Sequence, residues 1–280
     1  MAEEHKVGTG GGPEQSDNEM SFVEHLDKLR GHLIRGIIAI VLFAVVAFFF
    51  KGIIFDQVVL SPKTPDFFTN RILCKAGHLM SSEVLCINEQ DLKIININIA
   101  GQFKAHIVIS LIFGLMIAFP YVVFEIWQFL KPALKESETV KSRSLIFWLS
   151  FLFTLGVLFG YFIIVPLAIN FLTGYSISEE VKNTINFSSY FSTVATTSLG
   201  AGIIFELPFA SFVLAKIGLL TPEAMKKHRK VAIIIAFILS GILTPPDIFS
   251  QILVALPLIG LYQVSIGIVR RTVKKRYVEL

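Results

Sequence analysis

Residues 33–50 form an apolar stretch whose one charge, Arg35, stands near its start. A run of that length approaches the roughly 20 residues an α-helix needs to cross a hydrocarbon core of about 30 Å. Inside such a core the backbone finds no water to bond, so a lone spanning segment has to be helical. Five more apolar segments follow, at about 103–124, 145–165, 191–215, 231–243 and 248–269. The fifth is weakest: at about 1.5 Å per residue it reaches only about 20 Å, so it sits shallow or the bilayer thins around it. The expected fold is an all-α polytopic membrane protein of six transmembrane helices, the last two of them short.

Composition agrees. Of 280 residues, 54% are hydrophobic and 26 are Phe, which excludes an ordinary soluble domain. A net charge of +4 does not point to nucleic acid, because the basic residues cluster at the flanks of the apolar runs. With the N-terminus inside, only Lys51, Lys63, Arg71, Lys75, Lys93, Lys104 and Lys182 of the 25 Lys and Arg fall outside. Both termini are therefore expected in the cytoplasm, with the lipid bilayer as the chain's surroundings. Residues 1–20 are polar, include Gly10-Gly11-Gly12-Pro13 and read as a disordered extension without an ordinary secretory signal. Met20 is a second candidate start. A single membrane domain is expected over 21–270, then a basic cytoplasmic tail over 271–280.

The first outer loop, about 52–102, holds the two cysteines of the chain, Cys74 and Cys86. A disulfide between them would close the loop on the oxidising side and stabilise it by roughly 3 kcal/mol; two unpaired thiols are the alternative. Neither Cys-x-x-Cys nor a Cys/His metal spacing occurs, so no metal is expected.

Before the first span, Ser21-Phe22-Val23-Glu24 has the form of a capping box. Phe22, Leu26, Leu29 and Leu33 then share one face, as in an amphipathic helix lying at the inner surface and running into span one. It is either a plain anchor or a platform on which His25, Asp27, Lys28 and Arg30 meet a ligand. Between spans two and three, Trp127 to Glu138 adds carboxylates on the same side. Such acids can grip a pair of guanidinium groups through bidentate bonds, although loop acids are commonly just solvated.

Span four contains Phe205-Glu206-Leu207-Pro208-Phe209. An acid there costs about 2.5–3.5 kcal/mol to insert, so Glu206 should face a polar cavity or be protonated. Pro208 leaves the carbonyl four residues earlier without its donor and should kink the helix. Between spans five and six the chain turns through Ser240 to Gln251. Pro245 and Pro246 there lack N–H donors and force a tight hairpin with Asp247 at its tip. A phosphate-binding GxxxxGK[ST] loop, HExxH and GxSxG are all missing, so neither an enzyme nor a self-fuelled pump is expected, and no cofactor is implied.

Taken in order, these segments resemble the TatC family, the multispanning receptor subunits of twin-arginine protein translocases. The matches are His25-Leu26 with Leu29-Arg30, Ser61-Pro62, Phe129 with Pro132-Ala133-Leu134 and Glu138, Phe205-Glu206-Leu207-Pro208, and Thr244-Pro245-Pro246-Asp247 with Phe249-Ser250-Gln251. The resemblance implies a cup-like arrangement of six helices in the bacterial inner membrane. It also implies binding of signal peptides with paired arginines, assembly with TatA- and TatB-type single-span partners, self-association, and export driven by the proton-motive force. The signal-binding positions it implies are Leu29, Arg30, Phe129, Pro132 and Glu138. Glu206 and Pro208 would meet a partner within the membrane, beside Pro62 in the outer loop and Pro245, Pro246, Asp247 and Gln251 at the hairpin. One position departs: the family's acid on the N-terminal helix falls at Lys28, whose charge is wrong for an arginine, and Asp27 or Glu24 is the substitute. The rival is a proton-coupled transporter of a small solute using Glu206; it predicts inverted repeats, which the six segments do not show. A membrane-embedded hydrolase lacks its catalytic constellation.

Overall fold

The computed structural model describes residues 22–79, 86–87, 92–130, 142–178, 183–244 and 248–278. Helix α1, Phe22–Phe49, is unbroken. The N-terminal segment runs without interruption into the first span, as expected, and the stretch long and apolar enough to cross a membrane begins at Asp27. A wide π-helical segment, Gly52–Val59, follows it, then a short 3₁₀ turn, Ser61–Lys63, and helix α2, Phe68–Leu79. Strand β1, Ile94–Ile95, leads to the 30-residue helix α3, Gly101–Leu130. Helix α4, Ser142–Phe159, passes through a π turn, Gly160–Ile164, into α5, Val165–Gly174. Strand β2, Ile185–Asn186, precedes α6, Phe187–Phe205, and α7, Leu207–Lys216. The short α8, Pro222–Lys227, turns the chain into α9, Arg229–Leu243, and α10, Ile248–Val278, closes it.

Five helical stretches are long and apolar enough to cross a membrane: Asp27–Phe49, Gly101–Phe129, Ile146–Gly174, Phe187–Lys216 and Ser250–Lys274. Helix α9 is the sixth apolar helix and has only 15 residues, as its short run of sequence predicts. The final helix differs from expectation. It has 31 residues rather than being short, and it carries the basic tail onward as helix to Val278.

Close helix packing rests on glycines. A Cβ on Gly114 of α3 would lie 2.6 Å from the Ala44 nitrogen and 2.7 Å from the Ile40 oxygen of α1, so the two backbones touch there. Gly156 and Gly160, four residues apart, put the same demand on α4 against α6: their Cβ atoms would meet the Ala201 oxygen at 2.7 Å and the Ala201 Cβ at 2.8 Å. Gly202 answers from α6, where a Cβ would press on Val157 at 2.7 Å. Between helices in lipid the driving force is van der Waals contact, and small residues four apart permit it. Helices α7 and α9 pack on α10.

The stretch between α1 and α3 is built rather than loose. Tyr161 Oη donates to the Val58 carbonyl at 2.7 Å and Tyr190 Oη to the Val59 carbonyl at 3.0 Å, tying the π segment to α4–α6. Asn70, 1% exposed, donates to the carbonyls of Pro62 and Thr64. Thr69 Oγ1 donates to the Phe162 carbonyl, and Lys63 Nζ reaches the Leu92 carbonyl at 3.2 Å. Strand β1 pairs in parallel with β2, Ile94 opposite Ile185, which fastens the stretch to the connection before α6. Cys74 is disulfide-bonded to Cys86.

Candidate functional site

A surface groove of about 510 Å³ runs along the first turns of α1, lined by Asp27, Lys28, Arg30, Gly31, His32, Ile34 and Arg35. Asp27, Lys28, Leu29 and Arg30 are all exposed there. Helical geometry sets the division of labour. Asp27 and Lys28 present themselves to solvent, while His32, one turn later, leans toward α3. His32 Nδ1 donates to Glu125 Oε2 at 2.6 Å, and Arg35 Nη1 lies 3.9 Å from the same oxygen. Tyr121 stands one turn back on α3. The Glu125 side chain is only 6% exposed, so this is a nearly enclosed acid held by an imidazole with a guanidinium close by. It joins the starting turns of α1 to the last turns of α3 and so fixes the wall of the groove.

Glu125 is absent from the sequence reading, which ended span two at residue 124. The helix runs on to Leu130, which places this carboxylate within a spanning stretch. Like Glu206, it is an acid in an apolar run and has to be paired, neutralised or set in a polar cavity.

The other predicted residues distribute as follows. Glu24 lies on α1, but its side chain is outside the described residues, as are Ser21, Pro132 and Glu138. Phe129, one residue before the end of α3, is half-buried on the same side of the bundle as the groove. Glu206 is the junction residue between α6 and α7: its N–H bonds the carbonyls of Ile203 and Ile204, and its own carbonyl accepts from Phe209 and Ala210. Pro208 thus interrupts the spanning stretch Phe187–Lys216 as its sequence predicts, the break falling at Glu206 two residues before it. It sits buried in the first turn of α7, and the Ile204 carbonyl it would have orphaned is taken by the Glu206 N–H. Both carboxylate oxygens of Glu206 are buried without a hydrogen-bond partner among the described residues.

At the hairpin, Pro245, Pro246 and Asp247 lie outside the described residues. Gln251 Nε2 donates to the Phe237 carbonyl at 3.1 Å, pinning the start of α10 to α9. Thr244, buried, closes α9 by donating both its N–H and its hydroxyl to the Ser240 carbonyl, each at 2.8 Å. Pro62 is buried in the 3₁₀ turn on the opposite side of the molecule, where its carbonyl accepts from Asn70. Among the described residues the predicted ones thus do not form one cluster: one group lines the groove at the start of α1, Glu206 sits at the α6–α7 junction, and Gln251 and Pro62 hold their own turns.

A sequence model of the Sec-independent protein translocase protein family, TatC, matches residues 24–257. The chain is 40% identical over 261 residues to the Sec-independent protein translocase protein TatC of Blattabacterium sp. subsp. Periplaneta americana (strain BPLAN), covering 92% of this chain and 98% of that one. It is 31% identical over 258 residues to the TatC protein of Aquifex aeolicus (strain VF5), with the same two coverages, 92% and 98%. Two solved structures titled as the twin arginine translocase receptor TatC, one of them in DDM, superpose with TM-scores of 0.65 and 0.67 at 32% identity. Each covers 88% of this chain, which spans 98% and 100% of theirs. With its multiple membrane-crossing helices and these likenesses along nearly its whole length, the chain belongs to the TatC family of Sec-independent protein translocase proteins, a non-enzymatic family.

Proposed function

We propose that the chain is the receptor subunit of a twin-arginine translocase in a bacterial inner membrane, and that paired arginines of a signal peptide bind at the groove on the first turns of α1. The observation that carries this is the exposed Asp27 in a groove whose wall is clamped by the Glu125–His32 pair. A guanidinium approaching from solvent finds an uncovered carboxylate on a rigid backing, the arrangement that favours bidentate recognition. The solved relatives are titled twin arginine translocase receptor, which agrees with a receptor role. Asp27, with Glu24, takes the place of the acid that Lys28 lacks, and Glu138 supplies the second carboxylate from the connection between α3 and α4. Leu29, Arg30, Phe129 and Pro132 frame the peptide.

The excess of Lys and Arg on the groove side supports a cytoplasmic position for that side and for both termini. One membrane domain over 21–270 makes six crossings, α9 being the short one. Glu206 and Pro208, and Gln251 with its hairpin neighbours Pro245, Pro246 and Asp247, engage single-span TatA- and TatB-type subunits and further copies of this chain. Pro62 holds the outer stretch in register. Transport draws on the proton-motive force, since the sequence carries no nucleotide site.

The test is site-specific photocrosslinking from positions 24, 27, 28 and 138 to a signal peptide bearing Arg-Arg or Lys-Lys. Contacts at 27 and 138 that vanish with Lys-Lys are expected; efficient contact at 28 with none at 24 or 27 would overturn the assignment of the arginine site. A deletion strain rescued by this gene and scored for export of a folded Arg-Arg reporter tests the function as a whole.

A further inference from the structure

At the end of α2, Cys74, His78 and Cys86 bring two sulfurs and an imidazole nitrogen within 4.8 Å of one another. Cys74 and His78 are four residues apart on one helix and so lie on one face. His78 Nε2 is 3.5 Å from Cys74 Sγ and 4.0 Å from Cys86 Sγ. In the oxidised chain the two sulfurs are bonded to each other. We propose that the reduced form of this cluster is a site for a thiophilic divalent cation, zinc foremost, so that this stretch is clipped either by a disulfide or by a metal.

The donor set is what zinc selects: two thiolates, one neutral imidazole, and water in the fourth tetrahedral position. Two sulfurs each about 2.3 Å from a tetrahedral zinc stand about 3.8 Å apart, so opening the bond requires only a small parting of the side chains. The backbone that carries the ligands is fixed by other contacts. Helix α2 is anchored at its other end by Asn70 and Thr69 and by the rings of Phe67 and Phe68, 5.6 and 6.1 Å from that of Phe162. Cys86 is followed by Ile87, which is buried. His78 is exposed, so a hydrated ion reaches it from solvent.

The chemistry closes. A dithiol reductant transfers two electrons and two protons to the Cys74–Cys86 bond and becomes a disulfide itself. The two thiols release their protons as they bind the cation, and water leaves its hydration shell. Two thiolates and a neutral imidazole then balance the charge of a divalent ion. No Cys-x-x-Cys spacing announces this site; the helix places Cys74 and His78 side by side, and the chain folds Cys86 back to them.

The full-length protein in detergent, reduced with a phosphine and desalted without air, is titrated with cobalt as a spectroscopic probe and then with zinc. One cobalt per reduced chain is expected, with thiolate-to-metal charge-transfer absorption and the strong visible bands of a tetrahedral ion, both lost on adding zinc. The oxidised protein should take up none, and it controls for sites elsewhere on the same polypeptide. His78→Ala should weaken binding at least about tenfold and alter the visible bands. Cys86→Ser should remove much of the charge-transfer band, and Cys74→Ser provides the same readout if that variant folds poorly. Reduced wild-type protein without a thiolate band, or His78→Ala binding as tightly as wild type, would overturn the proposal.

Discussion

Two acids inside apolar helices meet opposite fates. Glu125 is held by His32 and Arg35, whereas the carboxylate oxygens of Glu206 are buried and find no partner among the described residues. An enclosed charge that loses a partner is costly, and one that has no partner is costly already. His32→Ala should therefore destabilise the protein by about 1–3 kcal/mol, read as a lower thermal midpoint in detergent. Glu206→Leu should act oppositely, raising the midpoint while abolishing export of an Arg-Arg reporter; a fall in stability would mean that the acid is structurally satisfied. Glu206 was visible in the sequence because it interrupts a long apolar run, with a proline two residues on. Glu125 was hidden by a boundary: a run ended at 124 leaves it outside, and only the observed continuation of α3 to Leu130 brings it in. Asp27, the substitute acid, follows from the charge of Lys28. Asp27→Asn should lower affinity for an Arg-Arg peptide by about tenfold, measured by titration in detergent, with little change in melting.

The helices themselves were legible because apolar length alone specifies them in a bilayer. What periodicity could not supply was which faces meet. The answer lies in Gly114, Gly156, Gly160 and Gly202, where a single added carbon would sit under 3 Å from a neighbour. Gly114→Val should push α1 from α3 and cost about 1–3 kcal/mol, seen as a lowered melting temperature. Gly36→Val, whose added carbon has its nearest neighbour at 4.0 Å, should cost less. Pro208 shows a local rule at work. A proline after an acid predicts a disrupted helix, and the span ends one helix at Phe205 and starts the next at Leu207, so the proline takes the first-turn position it favours.

Across the whole molecule, the stretch between α1 and α3 was the least legible part. Its mixed composition predicts a loop, and its order comes instead from distant partners: Tyr161, Tyr190, Phe162 and strand β2. Contacts between residues so far apart along the chain leave no local trace. Reducing the Cys74–Cys86 bond in a metal-free buffer should lower the melting temperature, since a loop with a sequence separation of 12 is released, an effect of about 3 kcal/mol by chain entropy. The Cys74→Ser, Cys86→Ser double variant should show the same drop without reductant.

The unequal lengths of α9 and α10 have a consequence of their own. At about 1.5 Å per residue the 15-residue helix measures about 22 Å and its 31-residue neighbour about 46 Å. Against a hydrocarbon slab of about 30 Å, the longer rod overshoots by several turns. Arg270, Arg271 and Lys274 lie along that surplus, just past the length of the hydrocarbon, where a stiff row of cations would meet the phosphates of the headgroup layer.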